Sequence, residues 1–433
     1  MLILLVYEII KIIKKRKSIL QEIKKHFYHA ILIAIFSVAV GFGFKIFLAD
    51  IIDKDVLTLY YTAIDIFSFS LLILIGFRSS MVVAYAKSEK DENIINIFRY
   101  FVIVLILISW GFILPYLKHR VGLEIHYWYL VFTILSMSAY AYLTNQLAMY
   151  RLYSIMKQST FAEPILGAAW FLIAYYIAHT NGLKSLFIMT IMSYIGLSIF
   201  IWLKKRKQIA EPHISHVDLN DDTKTFLKNA VLSTVEFGSG IVMIYTAVFF
   251  LMHYYSIEEL GDFQVVTKPI LMYMIALFVF PVFRYLLPEL SKLYAKKSYA
   301  EIMSLQKWFY KFSFLVSGVF TLLMVFYSQA FVSLAFKPEY HGAYLYLTHL
   351  SFFFIFIMLN AFQLSLIKAS GGFAKALFIR VSGIALFIVA FYLTRLYSEN
   401  SVSVIFGLAL GYTGMFVLSF VEVRRIMLGI KPA

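Results

Sequence analysis

Apolar residues in this chain run in long blocks, and short polar connectors separate the blocks. Twelve can be read, at approximately 27–48, 58–80, 98–117, 127–150, 161–181, 185–203, 228–252, 262–290, 308–328, 342–367, 376–396 and 402–423. A bilayer core about 30 Å thick needs roughly 20 apolar residues per helix, and each block is near that length. A lone strand in lipid would leave its backbone unsatisfied, so every block is predicted to be a helix. A transmembrane β-barrel is excluded, because its segments would be short and alternating. The expected fold is an all-α integral membrane protein with about 12 transmembrane helices.

Composition supports this. Hydrophobic residues make up 61% and charged residues only 15%, against about 25% charged in ordinary globular domains, and mean hydropathy is +0.81. Little of the chain is left to work outside lipid, which points to transport before catalysis. The formal charge of +15 would suggest nucleic acid in a soluble protein. Here its distribution answers the question. With the amino terminus inside, about 31 of the 39 Lys and Arg fall on the cytoplasmic side. The runs Lys204-Lys205-Arg206-Lys207, Lys292 to Lys297 and Arg424-Arg425 all land there. The basic charge is therefore a topology signal and an attraction to anionic membrane lipids, with no nucleic-acid partner. Both termini are expected in the cytoplasm of a multi-pass protein.

Cysteine is absent, so neither a disulfide nor a thiolate metal site is expected. In residues 1–26 the apolar stretch precedes Lys11, Lys14, Lys15, Arg16 and Lys17, the reverse of a signal peptide. Ile9, Ile12, Ile13, Ile19, Leu20 and Ile23 against those cations read as an amphipathic helix on the cytoplasmic surface.

The blocks divide six and six at the polar connector Lys204 to Lys224, and self-comparison shows a repeat near 200 residues. Leu57-Thr58-Leu59-Tyr60 opens the second block as Leu260-Gly261-Asp262-Phe263 opens the eighth. Tyr85-Ala86-Lys87 followed by Phe98-Arg99-Tyr100-Phe101 matches Tyr294-Ala295-Lys296 followed by Phe309-Tyr310-Lys311-Phe312. The expected organisation is a surface helix at 1–26, a six-helix lobe at 27–203, a cytoplasmic linker at 204–227, a second six-helix lobe at 228–425 and a tail at 426–433. An even number of spans per half makes the repeats parallel, a known transporter plan with the substrate between them.

On "EELGDF" (Glu258 to Phe263), "PELSKLYAKKSYAE" (Pro288 to Glu301) and "LTLYYTAIDIFSFSLLILIGFRSSMVVAYA" (Leu57 to Ala86), the chain resembles the polysaccharide-transporter branch of the multidrug/oligosaccharidyl-lipid/polysaccharide exporter superfamily. The resemblance covers nearly all of 27–425. It implies two pseudo-symmetric six-helix lobes around a central cavity lined chiefly by spans one, two, seven and eight. It also implies a bacterial inner-membrane flippase that moves an undecaprenyl-diphosphate-linked oligosaccharide to the outer leaflet by alternating access. Such flippases serve O-antigen, lipopolysaccharide, capsule or exopolysaccharide synthesis beside a polymerase and chain-length machinery.

Ionisable groups inside spans are costly, roughly 2.5–3.5 kcal/mol each at a helix centre, and mark function. Arg78, Arg151, Arg284, Lys368 and Arg380 lie near cytoplasmic ends, where they either snorkel to headgroups or form a collar that attracts a diphosphate. Arg78 and Arg284 lead this set because the resemblance puts their spans at the cavity. Lys45, Asp65, Glu236 and Lys268 lie deeper or towards the outer side. Lys45 and Lys268 join the candidate diphosphate ligands. Asp65 and Lys268 occupy matching repeat positions and either pair as an outer gate or face the cavity with no gating role. Glu236, two turns into span seven, is either a site of coupling to a proton or sodium gradient or, more commonly, a carboxylate hydrogen-bonded to span one or eight. Asn145, Gln146, Asn360 and Gln363 either bind sugar hydroxyls or, more commonly, bond between helices.

No P-loop occurs, and no cofactor is expected. His213 and His216 lack a third ligand, so no metal is expected. Asp221-Asp222 reads as solvated charge and a helix cap. Two other functions compete. A polyprenyl-dependent membrane glycosyltransferase would use Asp50, Asp53 and Asp55 in the first external loop, but external loops of about 5–14 residues are short for that chemistry. A multidrug or cation antiporter of the same superfamily would want a carboxylate-dominated cavity, whereas the in-span bases here at least equal the acids.

Overall fold

A computed structural model describes residues 2–88, 92–119, 124–209, 220–336, 338–397 and 400–428. Among these the chain is helical throughout, without a strand. The long helices are α1 (Leu2–Ile51), α2 (Lys54–Ser88), α3 (Glu92–His119), α4 (Tyr127–Met149), α5 (Tyr153–Ile177), α6 (Gly182–Arg206) and α7 (Asp221–Tyr254). After a short helical lead-in, Ile257–Gly261, come α8 (Lys268–Ala295), α9 (Tyr299–Ala335), α10 (Ala343–Ala369), α11 (Phe373–Tyr397) and α12 (Val402–Met427). Ten of them contain a stretch long and apolar enough to cross a membrane among the described residues. The sequence reading counted spans in α2 and α4 as well. Both are helical over those residues; α4 interrupts its apolar run with Thr133, Ser136, Ser138, Thr144, Asn145 and Gln146. In α1 the membrane-length stretch is Gln21–Lys45, and no break separates it from the residues before it.

The chain forms two packed units. One comprises His29–Thr234; the other combines Met1–Tyr28 with Val235–Ala433. Each of α1 and α7 therefore contributes to both. Within each unit the same packing scheme recurs. In the N-terminal unit α4 packs on α2, α3, α5 and α6, and α5 packs on α6. In the C-terminal unit α10 packs on α8, α9, α11 and α12, and α11 packs on α12. The fourth helix of each half is thus its hub, and α10 is the most enclosed membrane-length helix. The repeat read in the sequence is a repeat of neighbours in space.

The turns repeat too. After α4, the N–H of Arg151 donates to Ala148 O (3.2 Å) and that of Leu152 to Leu147 O (2.9 Å). After α10, Gly371 N donates to Lys368 O and Gly372 N to Ile367 O, both at 2.9 Å. Both are Schellman closures, which place one residue in the left-handed region. Gly371 has φ 91° and Arg151 has φ 61°. The closures satisfy the last carbonyls of the hub helix and reverse the chain, so that the next helix returns beside it.

Close approach between α11 and α12 is permitted by Gly383, Gly407 and Gly411. A Cβ on Gly411 would lie 2.8 Å from the Gly383 carbonyl oxygen. Small residues four apart let membrane helices meet backbone to backbone. Outward faces are apolar: Phe314, Leu315, Phe326 and Leu334 on α9 are all exposed, as suits side chains facing lipid. At 37 residues, α9 is about 55 Å long, longer than the hydrocarbon layer. Its first turns carry Trp308, whose indole N–H donates to Tyr28 O–H at 3.0 Å and packs edge-on to Phe27. Aromatic groups with one polar end suit the membrane–water boundary.

Candidate functional site

The C-terminal unit buries a three-charge cluster assembled from α7, α10 and α11. Glu236 Oε2 accepts from Lys368 Nζ at 3.0 Å, and Oε1 accepts from Arg380 Nη2 at 3.0 Å. Glu236 is 1% exposed, Lys368 2% and Arg380 14%. Lys368 sits in the last turn of the hub helix, just before the closure at Gly371. That reversal brings α11 back, and Arg380 on α11 reaches the carboxylate from the other side. The Lys368 ammonium also lies 4.7 Å from the centre of the Phe283 ring, a favourable placement for a cation with little water around it. The cluster carries two positive charges and one negative, and Arg380 Nε has no hydrogen-bond partner although it is buried. Burying ions stabilises only when partners replace lost water. Here the carboxylate is fully matched and the arginine keeps spare donor capacity.

Beside this cluster runs a line of neutral polar groups on the hub. Asn360 Nδ2 donates to Tyr412 O (2.9 Å), Gln363 Nε2 to Tyr310 O–H (2.6 Å), and Ser419 O–H to Asn360 Oδ1 (3.3 Å) and to Gln363 Oε1. The N-terminal unit answers with Arg78 Nε donating to Asn145 Oδ1 (2.7 Å), Asn145 Nδ2 donating to Leu74 O (2.6 Å), and Lys205 Nζ donating to Gln146 Oε1. All four amides read from the sequence thus bond between helices, the commoner of their two expected roles.

The remaining candidates are dispersed. Lys268, the first residue of α8, stands 4.9 Å from the Tyr245 ring centre. Lys45 is exposed and lies 5.6 Å from the Tyr61 ring centre. Arg284 is half-buried on a wide π-helical turn, Val282–Leu286, directly after Pro281, and such turns concentrate at functional positions. Arg78 and Arg284 belong to different units. The side chain of Asp65, and His213 and His216, lie outside the described residues.

Several expectations change. Lys368 and Arg380 do not snorkel: each has a buried carboxylate in reach, and a paired charge is cheaper than an exposed route through apolar packing. Lys205, read as part of a basic run drawn to anionic lipid headgroups, is 1% exposed and bonded to Gln146. The cap of α7 is Asn220, whose Oδ1 accepts from Thr223 N at 2.8 Å, and Asp221 and Asp222 occupy the first turn. The sequence reading also passed over Glu163 on α5, which accepts from the hydroxyls of Tyr140 (3.1 Å) and Tyr194 (3.3 Å). Its signal was there: a carboxylate before Pro164 inside an apolar run.

Comparison with solved structures follows from this architecture. A multidrug resistance MATE family transporter of the MOP superfamily, in an outward-facing conformation, superposes with TM-score 0.75 at 13% identity, over 94% of this chain and 97% of that one. The fold is that of the MOP-superfamily transporters. The Vibrio cholerae MATE transporter VcmN in its bent form gives TM-score 0.77 at 13% identity, covering 96% and 98%. A MOP superfamily transporter from Pyrococcus furiosus gives 0.76 at 14%, covering 95% and 97%. No family model matches the chain, and no curated protein sequence does. At such identities the likeness is one of fold: a helix bundle can keep its packing while the site residues change.

Proposed function

We propose that this protein is an alternating-access transporter whose cargo is anionic, and that the cargo is a lipid-linked saccharide diphosphate carried across the cytoplasmic membrane. The observation that carries the reading is the Glu236 cluster. Buried Lys368 and 14%-exposed Arg380 meet one buried carboxylate, and Arg380 Nε retains an unpartnered donor. An apolar interior with surplus positive charge favours an anion by simple attraction, and the planar guanidinium suits phosphate oxygens. Lys268, in the same unit and facing the Tyr245 ring, adds to the positive charge of that unit. In this reading Glu236 is a coupling group only when an ion or the cargo competes for its two partners.

A second reading, a multidrug or cation antiporter, is favoured by the neighbours, which are described as multidrug and MATE transporters. The Pyrococcus furiosus protein is described as having a binding pocket of reversed polarity that suggests a different function, so one fold accommodates both charge preferences.

The test is reconstitution in liposomes. Translocation of a fluorescent short-chain polyprenyl-diphosphate saccharide is followed by quencher accessibility, and ethidium uptake under proton or sodium gradients is followed in parallel. Saccharide-lipid movement that falls in Arg380→Met is expected. Gradient-driven ethidium transport with no saccharide-lipid movement replaces this reading with the antiporter.

A further inference from the structure

The N-terminal unit holds a cavity of about 550 Å3 where the end of α2, the start of α3 and the start of α7 meet. Its size falls within the range of small-molecule sites, about 300–1,000 Å3. Hydroxyl and amide side chains (Ser80, Asn93, Thr223, Thr225 and Asn229 among them) stand over an apolar floor that includes Val83, Ile94 and Ile97. The pattern is helical: Asp222, Thr225, Phe226 and Asn229 are spaced three and four apart on one face of α7, as Ser80, Ala84 and Lys87 are on α2.

Part of this polarity is structural. Asn93 Nδ2 donates to Thr223 Oγ1 at 2.9 Å, and Asn220 caps α7. Thr225 and Asn229 are different: neither side chain has a hydrogen bond within the described protein, and both line the cavity. An amide presents an acceptor and two donors, and a hydroxyl one donor and two acceptors. The charged lining residues, Lys87 and Asp222, cancel, so the cavity selects neither anion nor cation. Paired donors and acceptors beside an apolar floor, without net charge, match the hydroxyl edge and C–H face of a sugar ring.

We propose that this cavity is a binding site for an uncharged pyranose residue, with Asn229 and Thr225 as its principal hydrogen-bonding groups. The site stands apart from the Glu236 cluster and from any preference for anionic cargo. The orientation expected from the basic residues puts it at the cytoplasmic end, where a sugar would be met before translocation.

The experiment is saturation-transfer NMR on the full-length protein in detergent micelles. Free glucose and N-acetylglucosamine are the probes, glycerol is the small-polyol control, and the same sugars on a citronellyl diphosphate form a second arm. Transfer to the ring protons of at least one free sugar, but not to glycerol, is expected. Asn229→Leu and Thr225→Val should each weaken binding about fivefold, the loss typical of one neutral hydrogen bond. Both sites are at least partly accessible, so folding should survive, as monodisperse elution would verify. Thr246→Val, on an exposed part of α7, should change nothing. Absence of transfer from every free sugar, or equal transfer in wild type and both variants, overturns the proposal. Transfer confined to the diphosphate arm overturns it too, since binding then follows the diphosphate. Retention of sugar binding by Arg380→Met, whatever that variant does to transport, separates this site from the charged cluster.

Discussion

Neutralising Glu236 should harm the protein more than removing either of its cations, and the structure sets the order. At an effective dielectric constant near 20, unit charges 3.0 Å apart attract by about 5–6 kcal/mol before desolvation is counted. Breaking one buried pair costs about 3–5 kcal/mol net. Lys368→Met and Arg380→Met each leave a neutral pair, because Glu236 keeps one partner. Glu236→Gln leaves two buried cations and no anion, so both pairs are lost and the survivors repel. Adding Lys368→Met to Glu236→Gln removes one orphaned charge and leaves Arg380, which is 14% exposed and can reach water. Adding Arg380→Met leaves Lys368, which is 2% exposed and cannot. The expected thermal midpoints therefore fall from wild type through the single cation variants and then through Glu236→Gln/Lys368→Met. Glu236→Gln/Arg380→Met comes next, and Glu236→Gln is lowest. Scanning fluorimetry in one detergent at one heating rate reads this order without requiring the reversible unfolding that equilibrium energies demand. The reasoning fails if Glu236→Gln melts at or above the single cation variants, or if the second substitution brings no recovery.

Asp262, which opens the π-helical turn Asp262–Thr267 just ahead of α8, has its pKa raised to about 6 by burial first and then by Glu258 and Glu259, against an opposing effect of His341. A carboxyl raised above its unfolded value binds protons more readily when folded, so its contribution is full below about pH 4 and is lost as pH rises through about 6. Asp262→Asn should melt above wild type at pH 7.5, with the gap closing by pH 4.5 in a pH series of melting curves; a gap independent of pH refutes the assignment. Glu259 moves the other way: burial raises it, but hydrogen bonds from Ser401 and Ser256 outweigh that and hold it below the usual carboxylate range. Gly411→Ala drives a methyl group to 2.8 Å from the Gly383 carbonyl oxygen and should destabilise by about 1–3 kcal/mol, whereas Gly318→Ala in α9, with open space around it, should be neutral or stabilising by up to about 1 kcal/mol. Thermal midpoints of the two variants, compared side by side, check the contrast.

The helical architecture was legible because a run of some 20 apolar residues admits one solution in lipid. The repeat was legible too, from Leu57-Thr58-Leu59-Tyr60 against Leu260-Gly261-Asp262-Phe263 and the paired Tyr-Ala-Lys exits. The site was legible by member and illegible by pairing. Glu236, Lys368 and Arg380 were each singled out, yet their meeting depends on the rotation of three helices and on the turn at Gly371, none of which hydropathy encodes. Lys205 was hidden for the converse reason: a basic run looks like headgroup-facing charge until one member is seen bonded to Gln146 of the hub helix. The polar cavity of the N-terminal unit escaped notice because Asn, Ser and Thr at the ends of three separated segments carry no local signal.

The Schellman corners after α4 and α10 differ in one respect with a kinetic consequence. Gly371 adopts its left-handed backbone freely, whereas Arg151 has a Cβ that crowds the carbonyl in the same conformation, a cost of about 1–2 kcal/mol. The corner after Arg151 should open more often than its counterpart, so amide deuterium uptake at Arg151 and Leu152 should outpace that at Gly371 and Gly372.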